Sequence, residues 1–350
     1  MQTFREEFSF PAFMPRPRQL LAGHAPGIVL ALLIAGGGFA LHSVRGFTLL
    51  SPMILSTLLG MLYRNFFGAP AWAAAGVNFC LKRVLRAGVV LLGLQLMLPQ
   101  MMEVGGLGCA IIVTALISTF LFMRWLGALM GVEKGLSTLI ATGTSICGAS
   151  AILAANTVVQ DSDEGVAYAI ACVTILGSCA IFVYPLLPLL LGLSPKAFGL
   201  WAGASIHEIA QVVAAAFQNG AEAGQFATVA KLTRVMMLAP FVVCLGSLVG
   251  RRSEQGAEER LVPRPPIPWF VLGFVMLAVL NSVLSIPHIV HNTVSQLATL
   301  LLSTALGAMG LETDFRRLRA KGWKPFGLAF AGALFITAFS LVLIKLSRYS

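Results

Sequence analysis

Residues 143–150 read Gly-Thr-Ser-Ile-Cys-Gly-Ala-Ser (GTSICGAS) and interrupt the middle of an apolar segment at about residues 136–157. In lipid, each backbone polar group without a partner costs several kcal/mol, so a broken helix is tolerated only where protein covers it or where it lines a cavity. We expect a helix broken near the bilayer midplane, whose free N–H groups and dipole favour a bound anion. A helix-packing face of small residues is the alternative.

The composition around this segment is that of a membrane protein. Of the 350 residues, 57% are hydrophobic and 11% are charged, whereas soluble domains carry about 25% charged residues. The apolar residues form blocks close to the ~20 residues that a helix needs to cross a bilayer core. The charges, which sum to +10, lie mostly between these blocks, so we expect contact with the lipid bilayer and none with nucleic acid.

Proline, glycine and charge divide the chain into eleven apolar segments, which predict an all-α polytopic membrane protein of about 11 transmembrane helices. The segments cover about residues 27–43, 47–63, 80–98, 107–128, 136–157, 165–191, 197–217, 225–249, 267–286, 294–311 and 326–346. Residues 1–26 are then a cytoplasmic segment and residues 27–346 a single transmembrane domain. The stretch 250–266 is a solvated loop or a hinge between halves. The six cysteines show no paired spacing, so we expect no disulfide, metal or cofactor.

The distribution of charge predicts how the chain is oriented. With a cytoplasmic N-terminus, 19 of the 24 Lys and Arg residues fall on the inner side, Lys196 among them, and three fall on the outer side. The outer turns instead carry acidic residues, namely Glu103, Asp161, Asp163, Glu164 and Glu222. Because positively charged loops stay in the cytoplasm, the count predicts an inner-membrane protein with its N-terminus inside and its C-terminus outside.

Two short internal similarities indicate a duplication. Gly143–Ala155 aligns with Gly203–Ala215 (GASIHEIAQVVAA) at an offset of 60 residues, and LLGLQL from Leu91 matches AMGLET from Ala308. The two offsets do not fit one tandem copy, so the repeat boundaries stay open. Chance similarity between helices rich in Gly and Ala is the alternative.

The second copy places three polar side chains at midplane depth: His207, Glu208 and Gln211. Polar residues at that depth are costly and usually functional. Glu208 is a candidate carrier of a coupling proton, and the imidazole of His207 titrates near physiological pH when unperturbed. An internally hydrogen-bonded polar pair is the alternative. The string HEIAQ lacks the second histidine of the zinc-protease pattern HExxH, so no metal site is expected.

Lys231 and Arg234 lie three residues apart on the next helix and therefore share a face. A rise of about 1.5 Å per residue puts Arg234 at the depth of His207. Two cations in an apolar span need a counter-charge, and Glu208 neutralises only one of them. An oxyanion would complete the charge balance, and arginine binds such anions through two parallel hydrogen bonds.

Four motifs in order resemble those of the YeiH family (UPF0324), described as sulfate exporters: GTSICGAS, GLWAGASIHEIAQVVAA, AKLTRVMMLAP, and GAMGLETDF followed by KGWKP. The resemblance covers about residues 30–346. It implies a fold akin to sodium/proton antiporters and bile-acid symporters, with inverted repeats, crossed discontinuous helices and a core that slides against a scaffold. It also implies export of a sulfur oxyanion. The family usually has His-Asp where this chain has His207-Glu208, which leaves the role of the carboxylate open.

We therefore expect a secondary transporter of a small sulfate- or sulfite-like oxyanion, coupled to protons or sodium, with an elevator-type mechanism and no enzymatic activity. The predicted substrate site comprises Thr144, Ser145, Cys147, Gly148, Ser150, His207, Gln211, Lys231 and Arg234, with Glu208 and His207 as ion-coupling groups. A cation/proton antiporter that uses Glu208 is one alternative. An intramembrane enzyme in which His207 activates Ser145 or Cys147 is another. The expected partners are the small anion and the bilayer, and homo-oligomer formation is left open.

Overall fold

The computed structural model describes residues 17–48, 50–68, 70–96, 102–250, 269–284, 286–314, 322–347 and 349. These residues are almost entirely helical and contain no β-strand, as the sequence predicts. Six helices among them are long and apolar enough to cross a membrane. Residues 1–16 of the predicted N-terminal segment lie outside the described residues, and so does the predicted loop 250–266 apart from Gly250. The first helix begins at Pro17, ten residues before the first predicted segment.

The described residues include sixteen α-helices, numbered in chain order. They are α1 (Pro17–His42), α2 (Pro52–Phe67), α3 (Ala74–Phe79), α4 (Leu85–Leu92), α5 (Gly105–Leu129), α6 (Lys134–Ser145), α7 (Ala149–Val159), α8 (Asp163–Val183), α9 (Leu187–Leu191), α10 (Pro195–Ser205), α11 (Ile209–Phe217), α12 (Ala221–Met236), α13 (Leu238–Gly250), α14 (Trp269–Val283), α15 (His288–Glu312) and α16 (Trp323–Lys345). A π-helical stretch, Cys80–Val84, joins α3 to α4.

The helices pack as two groups. One group, which we call the scaffold, contains α1–α4, α14 and α15. Glycines bring its central helices into backbone contact, because a Cβ added at Gly60 of α2 would lie 3.0 Å from the Cα of Gly310 in α15. Small residues allow such close approach of helices in lipid. The guanidinium of Arg64 closes one end of this pair with a 2.9 Å ion pair to Asp314.

The other group, which we call the core, contains α5–α13 and α16. Only a few contacts join it to the scaffold within the described residues. Two of them are hydrogen bonds at one end of the bundle: the N–H of Ser51 donates to Oε1 of Gln218 (2.7 Å), and Nε2 of Gln225 donates to the carbonyl of Gln95 (2.7 Å). The two groups are thus packed internally far more extensively than they are packed against each other.

The segment predicted as a crossing at 136–157 instead enters the core and turns back. Its two half-helices, α6 and α7, have 12 and 11 residues, about 18 Å and 16 Å long. A single broken crossing would hold their outer ends some 30 Å or more apart. A Cβ added at Gly135, near the start of α6, would however lie 2.9 Å from Oδ2 of Asp161, just beyond α7. We call this element the first hairpin.

The segment predicted as a crossing at 197–217 also turns back, and we call it the second hairpin. Its first half, α10, runs parallel to α12: a Cβ at Gly199 would meet the carbonyl of Ala223 at 2.6 Å, and one at Gly203 would meet that of Ala227 at 2.5 Å. Both helices therefore begin at the same end of the bundle, and α11 must lead back to that end.

The two hairpins enter the core from opposite ends, which corrects the predicted topology. Within the described residues the chain makes nine passes through the bundle rather than eleven. Lys196, predicted on the inner side, lies beside the outer acid Glu103, with Nζ 2.6 Å from Oε2. The acids Asp161, Asp163 and Glu164, predicted on the outer side, lie at the end where α6 begins. A hairpin of two short halves has the length and hydropathy of one crossing, so the sequence pattern does not separate them.

Candidate functional site

The tips of the two hairpins meet inside the core. The first turn is Ile146–Gly148, between α6 and α7, and the second is Ile206–Glu208, between α10 and α11. A Cβ added at Gly148 would lie 2.7 Å from Cγ of Glu208, and Gly148 has a φ of +69°, which a glycine adopts without strain. The structure therefore brings both predicted polar segments together. In the sequence alignment at an offset of 60 residues, the turn Ile146–Gly148 corresponds to the turn Ile206–Glu208.

Lys231 and Arg234 of α12 bind the carbonyl ends of α6 and α10. Nζ of Lys231 donates to the carbonyls of Ile146 (2.9 Å) and Ile206 (2.7 Å). The guanidinium of Arg234 donates to the carbonyls of Ser145 (2.7 Å) and Ile206 (3.1 Å), and also to that of Thr144. The hydrogen bond to Ile206 confirms that Arg234 lies at the depth of His207.

This arrangement changes the predicted charge balance. A helix C-terminus carries about half a negative charge, so two C-termini offset part of the two buried positive charges. Both side chains are fully buried, and the nitrogens of Arg234 all have carbonyl partners. The two cations are therefore accounted for by the hairpin tips and Glu208, without a bound anion.

The carboxylate of Glu208 lies where the N-termini of α7 and α11 converge. It accepts the backbone N–H of Gln211, while Oε1 of Gln211 accepts the N–H of Glu208 at 3.0 Å, so the pair forms a capping box on α11. The backbone N–H of Ala149, the first residue of α7, faces the same carboxylate, and Oε1 of Glu208 lies 3.1 Å from where a Cβ of Gly148 would stand. The hydroxyl of Thr174 in α8 donates to it over 3.5 Å. The Glu208 carboxylate therefore lies at the N-termini of both α7 and α11.

Gln211 is held against α8 rather than directed into open space. Its Nε2 donates to the carbonyl of Thr174 at 3.3 Å. A Cβ added at Gly177 would fall onto the Gln211 amide, so the glycine makes room for this side chain. Gln211 therefore positions the second tip and its carboxylate.

Several buried polar atoms at the tips have no hydrogen-bond partner among the described residues. They are both ring nitrogens of His207, the hydroxyls of Thr144 and Ser145, and the hydroxyl of Ser178. The His207 side chain is 3% exposed. Buried polar groups are hydrogen-bonded in the great majority of cases, so an imidazole of this kind marks a place where a further partner can bind.

The N-terminal side of the tips is the accessible side. Ser150 is exposed and Ala149 and Glu208 are half-buried, whereas Gly148 and Gln211 are buried. Cys147 is also buried. Among the predicted site residues, Ser150 and Glu208 are therefore the ones that the protein does not fully enclose in this conformation.

Sequence reasoning missed three groups that shape the site. Ala149 acts through its backbone N–H, which no side-chain pattern reveals. Thr174 lies in an apolar helix. The one sequence signal for it is that it precedes Arg234 by 60 residues, which is the offset of the internal similarity. Tyr184 donates to the hydroxyl of Ser205 at 2.8 Å and stacks on Trp201, with ring centroids 4.5 Å apart, at the end of α10.

The arrangement that an intramembrane enzyme needs is not formed within the described residues. Neither ring nitrogen of His207 is hydrogen-bonded to the hydroxyl of Ser145 or the thiol of Cys147. The same residues contain no group of three His, Cys, Asp or Glu side chains that could hold a metal ion.

Comparison with known proteins identifies the family. A family model described as "Conserved hypothetical protein 698" matches residues 26–329. A "UPF0324 membrane protein" of Bacillus cereus (strain ATCC 14579) is 35% identical over 322 residues, which cover 92% of this chain and 94% of that protein. The "UPF0324 inner membrane protein YeiH" of Escherichia coli (strain K12) is 38% identical over 312 residues, covering 87% and 88%. No solved structure matches the chain. These matches run through both hairpins, and the chain belongs to the UPF0324 family of multi-pass membrane proteins.

Proposed function

We propose that the protein is a secondary transporter of a small anion in the inner membrane. The observation that carries this proposal is the convergence of the N-termini of α7 and α11 on one carboxylate, half-buried inside the core. Free N–H groups and the positive ends of two helix dipoles make such a point a binding place for negative charge. Transporters bind substrates at broken helices of this kind near the midplane.

The proposed substrate class is a small inorganic or sulfur-containing oxyanion, similar to sulfate or sulfite. A tetrahedral oxyanion has enough acceptor oxygens to receive N–H groups from both half-helices at once. The hydroxyl of Ser150 and the imidazole of His207 are additional donors beside the tips. Lys231 and Arg234 support binding by holding the tips together and by adding positive potential.

The proposed mechanism is of the elevator type, in which the core moves against the scaffold and carries the site with it. The sparse contacts between the two groups support this mechanism, because few of them need to break. An apolar cavity also lies between α12 and α14, lined by Val229, Leu232, Thr233, Met236, Val271, Phe274 and Val275.

We further propose that the N-terminus is cytoplasmic and the C-terminus is outside. Replacing two crossings by two hairpins keeps the number of passes odd. Moving Lys196 to the outer end changes the inner count of Lys and Arg only from 19 to 18. The positive-inside rule therefore still favours this orientation.

Uptake by proteoliposomes tests the proposed function. We expect labelled sulfate, sulfite or chloride to accumulate under a proton or sodium gradient. Ala149→Pro should lower that uptake roughly tenfold or more, because it removes one charge-assisted N–H donor worth about 1.5–3 kcal/mol. Proline is tolerated at the first position of a helix, so the fold should survive.

Asp163→Pro is the matched control, because Asp163 is the first residue of α8 and lies away from the tips. It should leave uptake unchanged. Sodium-dependent proton movement without anion uptake would favour the cation/proton antiporter instead. Equal loss of uptake in both proline variants would remove the link between the tips and transport.

A further inference from the structure

Glu208 occupies the place at which the proposed function puts the substrate. Its carboxylate accepts the N–H of Gln211 and faces that of Ala149, the two donors that a bound anion would use. Glu208 is half-buried and the neighbouring Ser150 is exposed, so the protein does not fully enclose this position. An oxyanion from solution and the Glu208 carboxylate cannot both take these N–H groups.

A second observation points to a ligand at the hairpin tips, on the side of Lys231 and Arg234. His207 directly precedes Glu208, is 3% exposed, and has no partner for either ring nitrogen among the described residues. Its imidazole therefore keeps hydrogen-bonding capacity that the resting arrangement does not use. Its neighbours in the tip are fully engaged, since the carbonyl of Ile206 binds both Lys231 and Arg234.

The charged and titratable groups around the carboxylate come from three elements. Lys231 of α12 interacts with it electrostatically, and so does Cys147 from the tip of the first hairpin. His207 adjoins it in the second tip. From α8 it meets Thr174, which does not titrate. No other carboxylate among the described residues faces it, so Glu208→Gln removes the one carboxylate of the tips and leaves Lys231, Cys147 and His207 in place.

We propose that Glu208 is a tethered competitor of the substrate anion, which leaves the N-termini of α7 and α11 when it takes up a proton. This inference rests on the proposed function and adds its coupling step. A protonated Glu208 is a poor acceptor for two helix N-termini, so the incoming anion replaces it there. The anion and one proton are then bound together, and an ionised Glu208 without substrate restores the resting arrangement.

Sulfate binding at two pH values tests this competition. The purified full-length protein is titrated with labelled sulfate, which stays divalent between about pH 5.5 and about pH 7.5, a range across which perturbed carboxyl groups titrate. We expect the wild type to bind more tightly at the lower pH, by up to about tenfold per pH unit. Glu208→Gln should bind equally well at both values, with the affinity that the wild type reaches at low pH.

Two further variants make the result specific. Glu222→Gln is the same chemical change at an exposed outer acid and should keep the full pH dependence. Glu208→Asp retains the charge and an N-cap for α11 but is one methylene shorter, so it should hold Ala149 less well. Its sulfate affinity at the higher pH should lie between those of the wild type and Glu208→Gln.

The failures of the two proposals are distinguishable. Binding that stays pH-dependent in Glu208→Gln would overturn the competition while leaving anion transport standing. Loss of binding at both pH values, in a Glu208→Gln protein that unfolds at the wild-type temperature, would also overturn it, because Glu208 would then be a ligand rather than a competitor. A wild type that binds neither sulfate nor chloride at either pH would overturn the proposed function itself.

Discussion

Arg234 links more of the site than any other described side chain at the tips. Its guanidinium binds carbonyls of Thr144 and Ser145 in the first hairpin and of Ile206 in the second. A planar group with several fixed donors suits this task, which the single ammonium of lysine would meet only in part. The depth of Arg234 in the bundle was predictable from residue spacing. Its hydrogen-bond partners were not, because every residue has a backbone carbonyl and the sequence does not show which one is bound.

Removing this guanidinium should destabilise the protein strongly. Arg234→Met leaves the carbonyls of Thr144 and Ser145 without their donor, because only that of Ile206 keeps Lys231, and each unmet buried group costs about 1–3 kcal/mol. We expect the free energy of unfolding in detergent to fall by about 3 kcal/mol or more. Lys196→Met removes an exposed ion pair instead, and because solvent screens such pairs it should leave the free energy of unfolding almost unchanged. Equal shifts in thermal unfolding of the two variants would contradict the role given to Arg234.

The second hairpin depends on close contact between α10 and α12. Gly199 and Gly203 of α10 face the carbonyls of Ala223 and Ala227, so the two helices touch along their backbones. In lipid no hydrophobic force drives helices together, and close packing of small residues takes its place. The depth at which Lys231 and Arg234 meet the tips follows from this contact.

Widening this contact should weaken the hairpin. Gly203→Val adds side-chain atoms where the Cβ alone would already meet the carbonyl of Ala227 at 2.5 Å. Overpacking typically costs about 1–3 kcal/mol, so thermal stability and anion uptake should both fall. Gly36→Val in α1 is the control, because a Cβ there has no neighbour within 4 Å. A Gly203→Val protein as stable and active as that control would rule out tight packing as the reason for the glycine.

The sequence predicts where these elements break but not how the chain continues. Gly143–Ser150 and the polar residues from His207 to Gln211 mark the two interruptions, because polar groups and glycines weaken a helix in lipid. The turn-back depends on distant partners: among the described residues, Lys231 and Arg234 of a later helix supply the donors for the carbonyls of Thr144, Ser145, Ile146 and Ile206. Local helix propensity and hydropathy contain no information about such contacts, so the sequence predicts a single membrane crossing where the structure has a hairpin.

At the scale of the whole molecule, the scaffold and the core form two packed bodies with a sparse boundary. That boundary includes the hydrogen bond between Ser51 and Gln218 and the apolar cavity between α12 and α14. The division was expected only through the family resemblance, since no composition change along the chain separates the groups. The scaffold helices come from two separate stretches of sequence, α1–α4 and α14–α15, whereas the core comprises α5–α13 and the last helix, α16.

Locking this boundary should stop transport. In a background without the native cysteines, Ser51→Cys and Gln218→Cys place two thiols at a contact whose polar atoms are 2.7 Å apart. A short thiol-reactive cross-linker should abolish anion uptake, and reduction of the link should restore it. Either single variant treated in the same way should stay active. Full uptake by the cross-linked protein would exclude movement of the core against the scaffold.

The bonds from α12 to the first hairpin also govern how the protein can be made. Lys231 lies 85 residues after Ile146, and Arg234 lies 89 residues after Ser145. The carbonyls of Ile146 and Ser145 are therefore synthesised well before the two side chains that bind them. Until then the first turn has carbonyls that lipid cannot satisfy, at a cost of several kcal/mol for each group. We therefore expect the first hairpin to take its final place only after α12 has been inserted.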